Sequence, residues 1–533
     1  MREGTAQSCS SLVGLSVPAS QIGLATHGAK VASAEVEKLE DDRTICILKG
    51  AIAPVDPKAP DINFQINLPS KWNGNAVHRG GGGYDGVLVD GRHFHYRPRP
   101  PQRDLSGRVE GNGFIPQEVD ITVQGNVTFG SDSGHQFDGN ITRMAAFATN
   151  AEALENFGGA QLKKVHDVAI QMIWKYYGRA PSRIYFYGSS QGGHEGLTVA
   201  QRWPMDYDGV VSIHPAYNLT ALQLSGLGIA QRLYRHPGAW LSPLKSTLIA
   251  NAVLKTCDAL DGLADGVIAN VNACRAAFDV HKLVCPGGRD EGPECLSNAQ
   301  IATAEFISGE TTFGFSVSGI TGFGGWPILE GAGTNGSGFG FGTKPVPDRP
   351  PAKGDAGVWI MADQLVRYMV IGDPTFDSLT FEPSQHIAAI QHISHLIDAS
   401  SPDLDAFRWR GGKLLLMHGT VDMAIPPSNS IAYYERLRDR YGTGLKDFVR
   451  FYMAPGFGHG PGPFVVSWDS LTTLDRWVDS GQSPRPQTVQ DVTPEHGGRS
   501  RPLCEYPLWP KYRGSGDPNA VESFVCTSDA GDR

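Results

Sequence analysis

A five-residue segment at 188–192, GSSQG, constrains the fold of this chain more than any other feature. It matches G-x-S-x-G, a sharp turn from a strand into a helix that holds a serine hydroxyl exposed at the end of a parallel sheet. An apolar run at 184–187 precedes it, and a helical pattern follows over 194–203. Strands that alternate with helices predict an α/β fold with a parallel sheet. Ser190 is therefore the candidate nucleophile, and a plain Gly/Ser turn is the alternative interpretation.

A serine nucleophile needs a base, and the base needs a carboxylate that orients it. In α/β folds that contain this turn, the three residues occur along the chain in the order serine, acid, histidine. The acid and the histidine lie in loops that follow later strands of the sheet. Asp422 follows the apolar run 413–417, and His459 follows the next strand pattern, 448–453. This order makes Asp422 the candidate acid and His459 the candidate base. The alternatives are that Asp422 caps a turn and that His459 hydrogen-bonds loop backbone.

Four consecutive glycines at 80–83 form a second candidate element. A backbone amide can approach a ligand closely only where no side chain intervenes. An oxyanion hole combines such an amide with the amide of the residue after the nucleophile. Gln191 and either Gly82 or Gly83 are the predicted donors, and a plain glycine turn is the alternative.

The segment 257–267, CDALDGLADGV, places Asp258, Asp261 and Asp265 within eight residues. Hard carboxylate oxygens at this density suggest a calcium site. The spacing is not that of an EF-hand, in which the acidic residues alternate. An acidic, solvated turn therefore stays open as the alternative.

Charge and hydropathy narrow the classes of partner. The 533 residues carry a formal net charge of -9, and the pI is near 6.0. This balance argues against nucleic acid, whose phosphates need a basic footprint, and against a polybasic membrane surface. No apolar run approaches the ~18 residues of a membrane helix. We therefore expect neither nucleic acid nor a membrane as the main partner.

The eight cysteines include no C-x-x-C pair, which argues against a thiolate zinc site. An even count indicates disulfides and an oxidising compartment, although sequence alone allows 105 pairings and free buried thiols in a cytosolic protein remain the alternative. Met1 leads directly into polar residues with no apolar signal region, so we expect a secreted or periplasmic protein whose signal was removed. We predict pairing between neighbours: Cys9–Cys46, Cys257–Cys274, Cys285–Cys295 and Cys504–Cys526.

The residue pattern changes near residue 217, where the strand-and-helix alternation ends and cysteines and glycines become more frequent. The strand-and-helix pattern returns near residue 400. The simplest organisation is one α/β catalytic domain, formed by 1–216 and 401–533, that is interrupted by an inserted lid domain over 217–400.

Taken together, these segments resemble the tannase and feruloyl esterase family over nearly the whole chain. The resemblance is carried by WNG, GGGG, SDSGH, GSSQGG, AQRWPMDYDG, CDALDGLADGV, RGGKLLLMHGTVDMAIPP and RPLCEYPLWPKYRG. It implies an α/β-hydrolase core with a large lid, and a serine esterase in which Ser190, Asp422 and His459 form the catalytic triad. It also implies a structural Ca²⁺ held by Asp258, Asp261 and Asp265 with backbone oxygens of Leu263 and Val267.

The resemblance further implies a small aromatic ester as substrate: a hydroxycinnamate, a gallate or a terephthalate half-ester. Aromatic residues of the lid are candidates for stacking on its ring, although ordinary lid core is the alternative for each one. An acyltransferase on the same scaffold and a catalytically silent binding protein remain the alternative functions. The oligomeric state is not predicted. The aromatic candidates are Trp326, Phe339, Phe341, Trp359 and Phe376.

One departure from the family pattern concerns the loops that carry the serine and the histidine. Members of the family usually have a cysteine just before the nucleophile and another just after the histidine, and the two form a bridge. Here those positions are Ser189 and Gly460. We expect a more mobile His459 loop than in bridged relatives, and we expect that restoring the pair raises thermal stability.

Overall fold

The computed structural model describes residues 8–39, 43–91, 121, 124–333, 340–493, 496 and 498–529. Its central element is a ten-stranded sheet in the order β1-β2-β3-β4-β6-β5-β7-β8-β11-β12. The strands described are β1 Ser16–Val17, β2 Ala29–Lys38, β3 Thr44–Ile52, β4 Ile62–Pro69, β5 Asn75–Arg79, β6 Val127–Ser131, β7 Arg183–Ser189, β8 Gly209–Ile213, β9 Thr311–Val317, β10 Ile320–Phe323, β11 Lys413–Gly419, β12 Val449–Ala454, β13 Val466–Ser467, β14 Gln487–Asp491, β15 Ser500–Leu503, β16 Trp509–Tyr512 and β17 Phe524–Thr527.

Helices cover the sheet and build the long connection between β8 and β11. The α-helices described are α1 Ala151–Glu155, α2 Gln161–Tyr177, α3 Gln191–Arg202, α4 Leu219–Arg235, α5 Pro243–Cys257, α6 Val271–Ala277, α7 Asn298–Ser308, α8 Gly357–Gln364, α9 Ile387–Ile397, α10 Asp405–Trp409, α11 Pro427–Tyr441 and α12 Ser470–Ser480.

The half of the sheet from β6 to β12 is parallel, whereas the pairs from β1 to β4 and the β4–β6 pair are antiparallel. In the register across this half, Phe186 of β7 pairs with Val210 of β8, which pairs with Leu414 of β11. The carboxyl ends of β5, β7, β8, β11 and β12 therefore meet at one edge. The loops after these strands carry the candidate site residues.

The parallel strands are buried on both faces, as their continuous apolar runs predict. Successive side chains of a strand point to opposite faces. Phe186 accordingly packs with Leu197 of α3, whereas its neighbour Tyr185 packs with Leu474 and Trp477 of α12 on the other face. Two layers of helix thus hold the strand ends in place.

Helix α3 begins at Gln191, three residues earlier than the sequence pattern predicts. Glycine is a poor helix former, so Gly192 and Gly193 made the sequence pattern place the start of the helix too late. Both glycines are required by close backbone contact: a Cβ at Gly192 would lie 2.9 Å from the Gly81 oxygen, and one at Gly193 would lie 2.4 Å from the Ile213 oxygen.

The inserted part lies between β8 and β11, two strands that pair directly in the sheet. It contains helices α4 to α9 and the antiparallel hairpin β9–β10. Its apolar side chains form a core of their own, which continues to Met423 and Ile425 in the loop after β11. The lid therefore packs directly on a loop of the candidate site. The exact boundaries at 217 and 400 stay a prediction.

The structure contains the four disulfides predicted from the sequence: Cys9–Cys46, Cys257–Cys274, Cys285–Cys295 and Cys504–Cys526. None of the described helices has the length and apolarity to span a membrane.

Candidate active site

Ser190 lies in the sharp turn between β7 and α3, with φ 62° and ψ -121°. A non-glycine residue in this region is strained and persists only where its surroundings hold it. The Ser190 amide donates to the Ile213 oxygen at 2.9 Å, which ties the turn to β8. A Cβ at Gly188 would lie 2.3 Å from the Gly192 carbonyl, so the glycines of the motif are needed for the turn to close.

His459 and Asp422 converge on this serine from the loops after β12 and β11. The His459 Nε2 lies 3.0 Å from the Ser190 Oγ, and its Nδ1 lies 2.8 Å from the Asp422 Oδ2. A serine hydroxyl on one nitrogen of an imidazole whose other nitrogen meets a carboxylate is the arrangement of an activated nucleophile. Residues 269 positions apart in the chain thus meet at one edge of the sheet.

The Asp422 carboxylate is fully buried and held on both oxygens. Its Oδ1 accepts from the amides of Ala424 and Ile425 at 2.8 and 2.9 Å. Burial by itself raises the pKa of Asp422, but the facing His459 and the neighbouring His418 hold that pKa well below its usual range. The carboxylate is therefore ionised and fixed where it can orient His459.

Two further histidines lie close to Asp422 and His459, and sequence reasoning missed both. His418 donates from Nε2 to the Ile425 oxygen at 2.9 Å, and its Nδ1 lies 2.7 Å from the Ser430 hydroxyl. His214 follows β8, and its ring lies 5.4 Å from that of His459 between centroids. Burial holds the pKa of His214 well below its usual range, so this ring is neutral. The only available signal was position, since both residues stand at the end of a parallel strand.

The glycine loop lies directly beside the serine turn. The Gly80 amide donates to the Tyr187 oxygen at 3.0 Å, and the Gly81 amide donates to the Glu195 Oε2 at 2.8 Å. The amides of Gly80 and Gly81 are thus engaged within the protein, and the Gly82 amide hydrogen-bonds the Asp85 carboxyl. Gly82 and Gly83, the predicted donors, line the same cavity as Ser190 and Gln191.

A pair of buried carboxyl groups, Asp85 and Glu195, lies around this glycine loop. A Cβ at Gly80 would be 2.7 Å from the Glu195 Oε2, and one at Gly81 would be 2.1 Å from the Asp85 Oδ1. Burial raises the pKa of Asp85 to about 7, while hydrogen bonds from Ser133 and Gly82 oppose the rise. Burial and then the negative charge of Asp85 raise the pKa of Glu195 well above its usual range. The sequence contained no signal for this pair.

The serine opens into a cavity of about 720 Å³ between the sheet edge and the lid. Leu219 and Leu222 of α4, Val358 and Met361 of α8, and Trp326 form its apolar walls. The cavity is large enough for a small ligand and mostly apolar, as ligand sites usually are.

The aromatic candidates of the lid differ in where their rings lie. Trp326 lines the cavity, and its Nε1 donates to the Met423 oxygen at 3.0 Å. Phe341 and Trp359 are buried in the lid core, and Phe376 packs against that core. Phe339 lies outside the described residues. Trp326 is thus the one of the four described candidates that lines the cavity.

The acidic loop folds into a compact turn near the C-terminal strands. Asp258 accepts from the Gly266 amide at 2.9 Å, and Asp261 accepts from the amides of Leu263 and Ala269 at 3.1 and 2.8 Å. Asp265 accepts from the Val267 amide at 3.1 Å, and its other oxygen pairs with Arg501 at 2.6 Å. The five predicted calcium ligands therefore share one small loop.

The carboxyl groups of this loop are only partly balanced by positive side chains, which bears on whether the loop suits a cation. Burial raises the pKa of Asp261 to about 7, and repulsion from Asp265 and Asp258 adds to the rise. Within the described chain, Arg501 and Arg499 approach Asp265, and no ion pair is found for Asp258 or Asp261. Hard oxygens with uncompensated charge suit Ca²⁺. The three aspartates do not all bring a carboxylate oxygen within 4.8 Å of one another, however. Among the described residues, possible metal-ligand atoms lie this close together only in the group of His214, Asp422 and His459.

The sequence of this chain is similar to that of known esterases over most of its length. The family model for tannase and feruloyl esterase matches residues 46–527. An uncharacterized esterase of Agrobacterium fabrum is 38% identical over 98% of this chain and 93% of its own length. A mono(2-hydroxyethyl) terephthalate hydrolase of Piscinibacter sakaiensis is 31% identical over 91% of this chain and 85% of its own length.

Among solved structures, feruloyl esterase B of Aspergillus oryzae is similar in fold, with a TM-score of 0.74 at 21% identity. The likeness covers 95% of this chain and 98% of that one. Together with the parallel sheet and its strand–turn–helix motif, it confirms the predicted α/β-hydrolase core.

Proposed function

The chain belongs to the tannase and feruloyl esterase family and is a carboxylic ester hydrolase, and we propose that Ser190, His459 and Asp422 are its catalytic triad. One observation carries the proposal: the His459 imidazole lies 3.0 Å from the Ser190 hydroxyl and 2.8 Å from a buried, ionised Asp422. The serine also opens into the large cavity beneath the lid.

The proposed reaction proceeds through an acyl-enzyme. Ser190 attacks the ester carbonyl while the His459 Nε2 takes the hydroxyl proton, and Asp422 stabilises the imidazolium that forms. The oxyanion accepts hydrogen bonds from Gln191, at the N-terminus of α3, and from Gly82 or Gly83. His459 then protonates the departing alcohol, and water attacks the acyl-enzyme by the same route in reverse.

The proposed substrates are esters of aromatic acids. The mostly apolar cavity and Trp326 support this class, because they can bury a ring next to the nucleophile. The terephthalate ester in the name of one relative and the ferulate ester in the name of another support it further.

We also propose that a structural Ca²⁺ binds the acidic loop through Asp258, Asp261 and Asp265, with backbone oxygens of Leu263 and Val267. The raised pKa of Asp261 supports it, since repelling carboxylates are what a divalent cation would neutralise. The four disulfides support a secreted or periplasmic location, because such bridges persist in oxidising compartments.

The test is product release from methyl ferulate, methyl gallate, mono(2-hydroxyethyl) terephthalate and p-nitrophenyl acetate, each with a Ser190→Ala control. We expect turnover of at least one aromatic ester, and a fall in kcat on the order of 10⁶-fold in the control. Turnover that survives in Ser190→Ala would overturn the assignment of the nucleophile. Added methanol distinguishes hydrolysis from acyl transfer for mono(2-hydroxyethyl) terephthalate and p-nitrophenyl acetate, since a transferase would release the methyl ester of their acyl groups.

A further inference from the structure

Helix α4 directs one polar side chain, Gln223, at the cavity of Ser190. The helix begins beside the nucleophile: the Ala216 amide, just before it, donates to the Ser190 oxygen at 3.3 Å. Leu219 lines the cavity in the first turn, and Gln223 lines it one turn farther on, about 6 Å along the axis. Gln223 therefore lines the cavity about one helical turn away from the end of α4 that lies beside Ser190.

The Gln223 amide differs from the other buried glutamine side chains of the described chain. Gln223 is 4% exposed, and its side-chain amide has no hydrogen-bond partner among the described residues. Every other glutamine that is buried hydrogen-bonds within the protein through its side chain: Gln65, Gln161, Gln191, Gln300 and Gln364. Its amide atoms are not sealed from the cavity, so water in the cavity can pair with them. A ligand that displaces this water leaves the amide unpaired, at a cost of about 1–3 kcal/mol, unless it supplies a hydrogen bond of its own.

The neighbours of Gln223 define which ligand group suits it. Leu222, Val358 and Met361 surround it with apolar walls that suit a ring. The acidic side chains of the lining are Asp85 and Asp90, and the lining residues that the structure describes include no lysine or arginine. A free carboxylate in this cavity would therefore find no cation among them, whereas an amide can both donate to and accept from a ring hydroxyl.

We propose that Gln223 is a specificity-determining residue that hydrogen-bonds a ring hydroxyl of the acyl group. The enzyme therefore favours esters of hydroxylated aromatic acids over unhydroxylated ones and over terephthalate half-esters, which carry a carboxylate instead. This inference rests on the proposed function, because it concerns the acyl group bound at Ser190.

The experiment compares methyl 4-hydroxycinnamate with methyl cinnamate, which differ only by the hydroxyl. The wild type is expected to prefer the hydroxylated ester in kcat/KM by about tenfold, the effect of one hydrogen bond of ~1.4 kcal/mol. Gln223→Leu and Gln223→Met are each expected to reduce this ratio to within about twofold of one, because neither side chain can pair with the hydroxyl. Mono(2-hydroxyethyl) terephthalate is expected to be the poorer substrate of the wild type.

The matched control is Gln231→Leu, the same change on the same helix. Gln231 donates to the oxygens of Leu379 and Phe381 in the lid and does not line the cavity. Its variant is expected to keep the wild-type ratio. Thermal melting and p-nitrophenyl acetate hydrolysis show whether each variant is folded and competent.

The outcomes separate this inference from the proposed function. If the folded Gln223 variants keep the wild-type ratio, or if the terephthalate half-ester is the best substrate of the wild type, the role of Gln223 is wrong while the triad stands. If no ester is cleaved in a Ser190-dependent way, the proposed function itself fails. A ratio that falls in both Gln223 variants and not in Gln231→Leu supports the inference.

Discussion

Asp422 of the proposed triad and Asp261 of the acidic loop are both buried aspartates that accept two backbone amides, yet their electrostatics are opposite. Asp422 faces His459 at 2.8 Å, and its pKa lies well below the usual range. Asp261 faces other carboxylates, and its pKa is raised to about 7. The difference lies in the partner side chains, because burial alone raises the pKa of both groups.

The comparison shows that a buried carboxylate needs a counter-charge, which the fold supplies in one region and omits in the other. The Asp422 carboxylate is compensated within the protein, because the side chains of His459 and His418 face it. The acidic loop is not compensated to the same extent, because the arginines that the structure describes pair with Asp265 and with neither Asp258 nor Asp261. We therefore expect changes in the first region to affect catalysis and changes in the second to affect stability.

The largest expected effect comes from Asp422→Asn, which removes the counter-charge of His459 and keeps the shape. We expect kcat to fall by about 10⁴-fold, because the imidazole loses the carboxylate that holds its tautomer. Steady-state kinetics on a cleaved ester measure the change. The control is Asp290→Asn, an aspartate of the lid that binds Lys245, for which kcat should be unchanged. Near-wild-type kcat in Asp422→Asn would mean that another group orients His459.

Removing the proposed Ca²⁺ should affect the acidic loop. EDTA is expected to lower the melting temperature by roughly 3–5 °C, the shift for a ligand present at about 100 times its Kd. Ca²⁺ should restore it, and Mg²⁺ should not, because Mg²⁺ demands stricter octahedral geometry. Ser190→Ala should show the same shift, whereas Asp261→Asn should show none. A chain that contains no calcium by elemental analysis and melts identically in EDTA would contradict the site.

Asp85 allows a smaller test, since it is a partly buried aspartate beside the glycine loop with a pKa raised to about 7. A carboxyl whose pKa rises on folding stabilises the folded state in its neutral form. This stabilisation is full below the unfolded pKa near 4 and is lost as the pH rises through about 7. The full rise would be worth ~4 kcal/mol, but Asp85 is partly exposed, and solvent screening reduces this to on the order of 1 kcal/mol. The wild type should therefore lose about 2 °C of melting temperature from pH 4 to 8 relative to Asp85→Asn.

The control for this pH series is Asp61→Asn, at an exposed position, which should follow the wild type. If Asp85→Asn shows the same pH dependence as the wild type, Asp85 is not the group that titrates. Glu195 is its nearest rival, because Asp85 raises its pKa further.

The smallest effect is expected from Ser189→Cys with Gly460→Cys, for which the family pattern predicts added stability. Gly460 has φ 102°, a conformation that residues with a Cβ rarely adopt. The strain should cancel much of the ~2–4 kcal/mol that a disulfide contributes, so we expect a melting temperature within about 1 °C of the wild type. Thiol titration and melting with and without reductant measure it. A clear gain on oxidation would restore the original prediction.

Sequence reasoning succeeded where the determinant is local or topological. The GSSQG turn lies between its strand and helix as predicted, because the close contacts at Gly188 and Gly192 admit no Cβ. The positions of Asp422 and His459 followed from strand order, since parallel strands end at one edge of a sheet. The disulfides paired as sequence neighbours, which is also a short-range property.

Sequence reasoning failed where a contact joins distant segments. The Gly81 amide is engaged by Glu195, 114 residues away, which no local pattern indicates. The aromatic candidates of the lid could not be separated by sequence, although Phe341 and Trp359 are buried in the lid core and Trp326 lines the cavity. Gln223 was not predicted because the sequence does not show which of the polar residues of α4 faces a cavity.

The sequence by itself determined the α/β core, the serine turn, the order of acid and base, and the cysteine pairs, because each depends on backbone sterics or strand order. Only the tertiary structure decided which glycine amides are engaged within the protein, which aromatic ring reaches the cavity, and which buried carboxylates meet a counter-charge. These depend on burial and on partners far apart in the chain, and solvation and Coulomb energies are set by distances that only the folded chain defines.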